Sequence, residues 1–94
     1  MPDTTQLRRL PWTQEGKPVF TQVGTGGTVN QVADQMEAMI VRTAKEMAAQ
    51  ATRQARNPET SEEILRNSLT LLSAAVTDLA LVAELRGERL RMED

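Results

Sequence analysis

The chain has no cysteine, histidine or tyrosine, and only one tryptophan and one phenylalanine. Without cysteine it can form neither disulfides nor thiolate metal sites. The three missing residue types supply many of the proton shuttles and nucleophiles that enzymes use, so their absence argues against catalysis. We therefore expect a protein that is not an enzyme and that binds no cofactor. We assign no catalytic, cofactor-binding or metal-ligating residue.

An uninterrupted apolar run of about 18 residues, which a membrane-spanning helix would need, is also missing. Arg8 and Arg9 are followed by a mixed stretch and not by the apolar core of a secretory signal. These two absences predict a cytoplasmic protein without membrane contact. With a net charge of −2, the molecule as a whole is not attracted to nucleic acid, which makes nucleic acid an unlikely partner.

Two long helix-competent segments, residues 28–57 and 60–92, fill most of the 94-residue chain. Only the loop around Pro58 separates them, and a proline pushes the residue before it out of the helical region. Thr28 with Gln31, and Thr60 with Glu63, have the spacing of capping boxes at the two helix starts. Gly87 is expected to weaken or end the second helix. The sequence thus predicts an all-α protein whose residues 28–94 form an antiparallel helical hairpin.

The apolar residues of the two segments complement each other in size. Bulky side chains dominate the first half of each segment and alanines the second half, so antiparallel packing sets large residues against small ones. The second segment is nevertheless apolar around about half of its circumference, which is wider than the stripe of roughly 100° that a surface helix needs. We expect two hairpins to cover this surface by forming a homodimeric four-helix bundle. The residues predicted to self-associate are Leu65, Leu69, Leu72, Val76 and Leu79.

Ahead of the helices, residues 1–9 are polar and are predicted to be mobile, and residues 10–27 form a separate segment. Two short extended runs flank the turn at Gly16 and resemble a β-hairpin, after which a Gly-rich hinge follows. An isolated hairpin is marginal in water, so Trp12 and Phe20 are expected to dock either on the helices or on a partner.

Three further patterns have an ordinary explanation and a functional alternative. Arg42, Lys45, Arg53 and Arg56 lie on one side of the first helix and could contact a nucleic-acid backbone, although Glu46 interrupts the stripe and a solvated face explains it. Asp34 and Glu37 have the spacing of carboxylate metal ligands in helical bundles, but those sites include histidine, and a solvated face explains the pair better. The loop 24–28 outlines an anion-binding turn without the lysine such loops use, so it is interpreted as a hinge.

The chain contains, in order, Pro11-Trp12, Gly16-Lys17-Pro18, a Gly-rich turn and a helix opening at residues 32–38. In these features it resembles small actinobacterial accessory or regulatory proteins of unknown function. The resemblance implies an intracellular accessory role and no particular activity or functional residue. Together with the apolar second helix, it predicts a non-catalytic protein–protein interaction or assembly module with a protein partner. The alternative is a nucleic-acid-associated protein that uses the basic face of the first helix.

Overall fold

The computed structural model describes residues 7–22 and 27–93, and within this part the chain is mostly helical. Two strands, β1 (Leu7–Gln14) and β2 (Lys17–Gln22), precede two helices, α1 (Thr28–Arg56) and α2 (Glu62–Glu93). The helices pack on each other along their length, which confirms the predicted helical hairpin. Beside it, the extended N-terminal segment forms a two-stranded antiparallel sheet.

Helix α1 begins without a side-chain cap. Gly27 is the N-cap residue, its carbonyl accepts a hydrogen bond from the amide of Gln31 at 3.3 Å, and no side chain caps the helix. The predicted capping box of Thr28 and Gln31 is therefore wrong, because Thr28 already lies in the first helical turn. The end of the helix is as predicted: α1 stops at Arg56, directly before Asn57 and Pro58.

The start of α2 also differs from the prediction by one residue. Ser61 Oγ accepts a hydrogen bond from the amide of Ile64 at 3.2 Å, so Ser61, and not Thr60, caps the helix. In the first turn, Glu62 Oε1 and Arg66 Nη2 form an i,i+4 ion pair at 2.8 Å. Gly87 does not end α2, which continues to Glu93.

The two strands are joined by a two-residue turn at Glu15 and Gly16, both of which have positive φ angles, 51° and 74°. That combination is typical of the type I′ turn that suits the twist of a tight hairpin. The pairing is irregular between Arg9 and Thr13, where Pro11 offers no amide for the ladder. Strand β1 begins at Leu7, earlier than the boundary at residue 10 that the polar N-terminus suggested. Residues 1–6 and 23–26, and with them most of the predicted hinge, lie outside the described residues.

The hydrophobic core is thin and lies mainly where the sheet meets the helices. Among the described residues, the buried hydrophobic side chains are Leu10, Ala33, Ala44, Ala75, Val82 and Leu85. The molecule measures 64 × 27 × 22 Å, and a rod of this shape has little interior. Much of the aliphatic surface of both helices therefore remains exposed in the single chain.

Candidate functional site

Arg8 and Arg9, adjacent in β1, bind different helices. Arg8 Nη1 donates to the carbonyl and the side-chain oxygen of Asn30 in α1 at 3.3 and 3.2 Å, and Arg8 Nη2 lies 2.7 Å from Asp34 Oδ1. Arg9 Nη2 and Nε donate to the carboxylate of Glu88 in α2 at 2.7 and 3.2 Å, and Glu84 lies 3.5 Å from Nη2. One dipeptide of the sheet thus connects the start of α1 to the end of α2.

Glu37 is at the centre of this ion-pair cluster, which comprises Arg8, Arg9, Glu37, Glu88 and Arg89. Arg89 of α2 donates two parallel hydrogen bonds to the Glu37 carboxylate, at 2.9 and 2.7 Å, and Arg8 Nη2 adds a third at 3.3 Å. The Glu37 side chain is only 2 % exposed. Bidentate arginine–carboxylate contacts are among the strongest that side chains make, and they fix the relative orientation of both groups. The cluster therefore positions α1, α2 and β1 relative to one another.

The charges in the cluster shift each other's protonation equilibria. Burial alone would raise the pKa of Glu37, but the hydrogen bonds and charges of Arg89 and Arg8 outweigh it and lower the pKa of this carboxyl below its usual value. The hydrogen bond from Arg9 lowers the pKa of Glu88, and the matching hydrogen bonds raise the pKa of Arg9 and of Arg89. All of these groups are charged at neutral pH.

The chemistry of the cluster is structural. Its carboxylates are satisfied by guanidinium groups, and in the part of the chain that the structure describes no group of three or more acidic side chains is placed to hold a metal ion. The predicted solvated face at Asp34 and Glu37 is correct for Asp34, which is exposed, and wrong for Glu37, which is buried against Arg89. Sequence reasoning also missed Arg8, which is buried in the sheet and not part of a polar tail. The available signal was the position of Glu37 on the same helical face as Ala33 and Ala44.

A second surface, the apolar stripe of α2, comprises Leu65, Leu69, Leu72, Val76 and Leu79, the residues predicted to self-associate. The structure leaves Leu65 37 %, Leu69 66 % and Val76 63 % exposed. Leu72 and Leu79 are half-buried, and Leu72 lines a groove between the helices together with Met47 and Gln54 of α1. The stripe thus divides into an outer row that is open to solvent and an inner pair that also contributes to the hairpin.

By length and composition alone, α2 is also apolar enough to cross a membrane. Its most apolar 18-residue window has a mean hydropathy of 1.6, and only 17 % of that window is buried within the chain. Asp78 is exposed near the middle of the helix, and a charged side chain at the centre of a bilayer costs about 2.5–3.5 kcal/mol on insertion scales. Helices of soluble bundles pass the same length and composition test when a partner covers them.

A shallow groove follows the seam between the two helices. It contains two cavities of about 220 and 250 Å³, which share Met47 and Leu71 as lining residues. Met36 and Met39 are exposed on α1, and Met39 lines the second cavity. Their exposure adds a second apolar area to the molecule.

The two aromatic residues have different environments. Trp12 is half-buried and lines a shallow cavity of about 60 Å³ with Pro11, Pro18 and Leu81, which places it beside α2. Phe20 lies on β2 and is 50 % exposed, so the single chain leaves half of this residue's surface uncovered.

The four basic residues of α1, Arg42, Lys45, Arg53 and Arg56, are all exposed. Within the described residues none of them belongs to an ion pair, whereas Arg8, Arg9, Arg66, Arg86 and Arg89 all do. The structure therefore leaves this basic face available to solvent or to an anion.

No protein-family model matches the sequence, and comparisons with curated proteins and with solved structures find no match either.

Proposed function

We propose that this protein is a non-catalytic assembly module that forms a homodimer through the apolar stripe of α2. The observation that supports the proposal best is the exposure of the outer row, Leu65, Leu69 and Val76, in a chain whose own core is thin. Covering one leucine side chain stabilises an assembly by roughly 1.5–3 kcal/mol. Two hairpins that pack these rows together form a four-helix bundle, in which each helix has two neighbours.

In this proposal the ion-pair cluster keeps the hairpin rigid, so that it presents a preformed surface. A preformed surface loses little conformational entropy on binding, which favours association. The other exposed apolar side chains, Phe20 and Met39 among them, lie outside the stripe and are available to a different protein. The module would then act as an intracellular adaptor or regulator, dimeric through α2 and in contact with its partner elsewhere.

The test is the mass in solution of the wild type and of two matched double variants, measured by multi-angle light scattering at micromolar concentrations. Leu69→Glu with Val76→Glu places two charges in the outer row, and we expect this variant to be a helical monomer. Thr70→Glu with Thr77→Glu places the same charges one residue further along α2, at exposed polar positions, and it should remain a dimer. A wild type that is monomeric at high micromolar concentration while fully helical would contradict the proposal, as would co-sedimentation of most of the protein with lipid vesicles.

The second candidate function is binding of nucleic acid by the basic face of α1. It is favoured by one observation, the exposure of Arg42, Lys45, Arg53 and Arg56 without ion pairs among the described residues. A dimer would present this face twice, and phosphate contacts of this kind need no base-reading side chains.

A further inference from the structure

The exposed side of α2 follows a seven-residue repeat. A first row of residues recurs at intervals of seven: Leu69, Val76, Ala83 and Leu90. A second row lies four residues before each of these: Leu65, Leu72, Leu79 and Arg86. Glu62, seven residues before Leu69, also belongs to the first row. A strict repeat of this kind is typical of helices that wind around each other as a left-handed coiled coil. The repeat therefore includes two charged positions, one near each end.

We propose that the α2 helices of two chains pack antiparallel, with Glu62 of each chain facing Arg86 of the partner subunit. This inference rests on the proposed homodimer and specifies its arrangement. In an antiparallel pair, members of the first row face members of the second. When Glu62 faces Arg86 of the partner subunit, Leu65 faces Ala83, Leu69 faces Leu79 and Val76 faces Leu72. Every apolar layer then contains at least one large side chain, and both charges are neutralised.

The other arrangements leave charges opposed or unpaired. A parallel pair in register sets Glu62 against a second Glu62 and Arg86 against a second Arg86, and like charges in an interface cost several kcal/mol. An antiparallel pair displaced by one repeat sets a charge against an apolar residue: Arg86 faces Leu69 of the partner subunit in one direction, and Glu62 faces Leu79 of the partner subunit in the other. Charge complementarity thus selects one direction and one register.

Both charged side chains are available for this contact. The Glu62 side chain is 78 % exposed, and among the described residues its one ion pair is with Arg66 in the next turn. The Arg86 side chain is 53 % exposed, and its Nε atom is 3.6 Å from Glu37, a much looser contact than the one Arg89 makes. Glu62 gives up only an exposed ion pair, and Arg86 gives up only its loose contact with Glu37, whose carboxylate keeps the hydrogen bonds from Arg89 and Arg8.

Three of the four residues that directly follow members of the second row are small, and the fourth is Arg66. Ser73, Ala80 and Gly87 directly follow Leu72, Leu79 and Arg86, again at intervals of seven. Small side chains at these flanking positions let two helix backbones approach closely, so the leucines of one helix can pack against the backbone of the other.

The first experiment exchanges the two charges and measures dimer dissociation by analytical ultracentrifugation. Glu62→Arg and Arg86→Glu should each weaken the dimer by at least roughly tenfold, because each creates two like-charge contacts per dimer. The double variant, and an equimolar mixture of the two single variants, should return to within a few-fold of the wild type. The single variants also change contacts inside their own chain, but mixing cannot repair those, so recovery in the mixture isolates the contact between subunits.

The second experiment measures the arrangement directly, and the absence of cysteine makes it simple. A nitroxide attached to Glu63→Cys gives one label per chain on an exposed site. In the proposed register the two labels are separated by about 33 Å along the helix axes, because α2 rises by 1.5 Å per residue on either side of the two-fold axis near Ala74. A parallel pair would bring them to roughly 10–20 Å, and the two antiparallel registers displaced by one repeat would separate them by about 43 Å or about 23 Å along the helix axes.

The outcomes separate this inference from the proposed function. A dimer with a label distance near 33 Å and recovery in the charge-exchange mixture supports both. A dimer with a short distance, with either displaced distance, or with no response to charge exchange overturns the arrangement and leaves the proposed function standing. A monomeric wild type overturns both.

Discussion

Glu37 of α1 and Arg89 of α2 form a bidentate ion pair, in which Nη1 and Nη2 of Arg89 lie 2.9 and 2.7 Å from the two carboxylate oxygens of Glu37. The two residues are 52 positions apart in the sequence, and their pairing joins the two helices. Arg8 of the sheet contacts the same carboxylate, so three elements meet at one acidic side chain. The stability of the sheet-bearing end of the hairpin should therefore depend strongly on Glu37.

We predict that Glu37→Gln lowers the free energy of unfolding by about 3 kcal/mol, because it leaves the partly buried Arg89 without a carboxylate partner and the buried Arg8 with Asp34 alone. The measurement is urea unfolding at a fixed protein concentration, since a dimer's stability depends on concentration. Glu84→Gln is the matched control: Glu84 also binds an arginine of the sheet, but its side chain is 65 % exposed, and its loss should cost less than about 1 kcal/mol. Equal effects of the two substitutions would contradict the central role of Glu37.

The same cluster predicts a dependence of stability on pH. The pKa of Glu37 and that of Glu88 are lowered in the folded protein from the ordinary value of 4.5. The unfolded chain therefore binds more protons below this pH, and the stabilisation is fully present above about pH 4.5 and lost as the pH falls through the folded-state pKa values. Urea unfolding of the wild type and of Glu37→Gln should give stabilities that converge on acidification. A constant difference between the two proteins down to strongly acidic pH would contradict this prediction.

The local signals in the sequence predicted most of the backbone and little of the cluster. The loop at Pro58 and the turn at Gly16 are determined by residues next to each other, and both are found where they were expected. The helix starts were misplaced by one residue because Thr28 and Thr60 each neighbour another residue able to occupy the cap. Glu37 and Arg8 were missed because their pairing depends on how the sheet docks, which no short stretch of sequence encodes.

Gly87 shows how distant contacts overrode a local preference. Its two neighbours on the C-terminal side, Glu88 and Arg89, are fixed by Arg9 and Glu37, and these contacts continue the helix through a residue that disfavours it. A Cβ atom at this position would meet Arg91 Nη1 at 3.6 Å, an ordinary contact. We predict that Gly87→Ala raises the free energy of unfolding by about 0.5–1 kcal/mol.

Thermal unfolding followed by circular dichroism measures the effect of Gly87→Ala. Gly87→Ser serves as a comparison, because serine has a lower helix propensity than alanine and should give a smaller gain. A loss of stability in the alanine variant would show that the position needs a residue without a side chain, as a very close approach of another helix would require.

Trp12 provides a spectroscopic probe of how the sheet docks. Because Trp12 is half-buried beside Leu81, its native fluorescence should be blue-shifted relative to free indole in water and should shift to longer wavelength on unfolding. Leu81→Ala should shift the native maximum to longer wavelength by opening the cavity to water. Leu71→Ala is the control. Leu71 lies ten residues before Leu81 in α2, about 15 Å away along the helix axis, so this substitution should leave the emission unchanged. Native emission already at the solvent-exposed maximum would mean that the sheet does not dock in solution.

The basic face of α1 gives the prediction that separates the two candidate functions. If Arg42, Lys45, Arg53 and Arg56 contact phosphates, the protein should bind duplex DNA at low salt. The logarithm of the binding constant should then fall with the logarithm of salt concentration by about 0.9 per phosphate contact. Replacing Arg53 and Arg56 by alanine should flatten that slope and leave helicity intact, because alanine favours helix at least as well as arginine.

We expect no such binding at physiological salt. The chain has a net charge of −2, Glu46 interrupts the basic face, and the only two aromatic residues lie in the sheet and not on α1, so this face offers no aromatic side chain to stack on a base. The measurement is fluorescence anisotropy of labelled duplex and single-stranded DNA across a salt series, with Arg66→Ala as a control because Arg66 lies on α2 and is paired with Glu62. Micromolar binding that weakens steeply with salt, and that is lost in the Arg53 and Arg56 variant but kept in Arg66→Ala, would favour nucleic-acid association over the assembly module. Binding lost equally in both variants would reflect the total charge of the molecule and not a specific face.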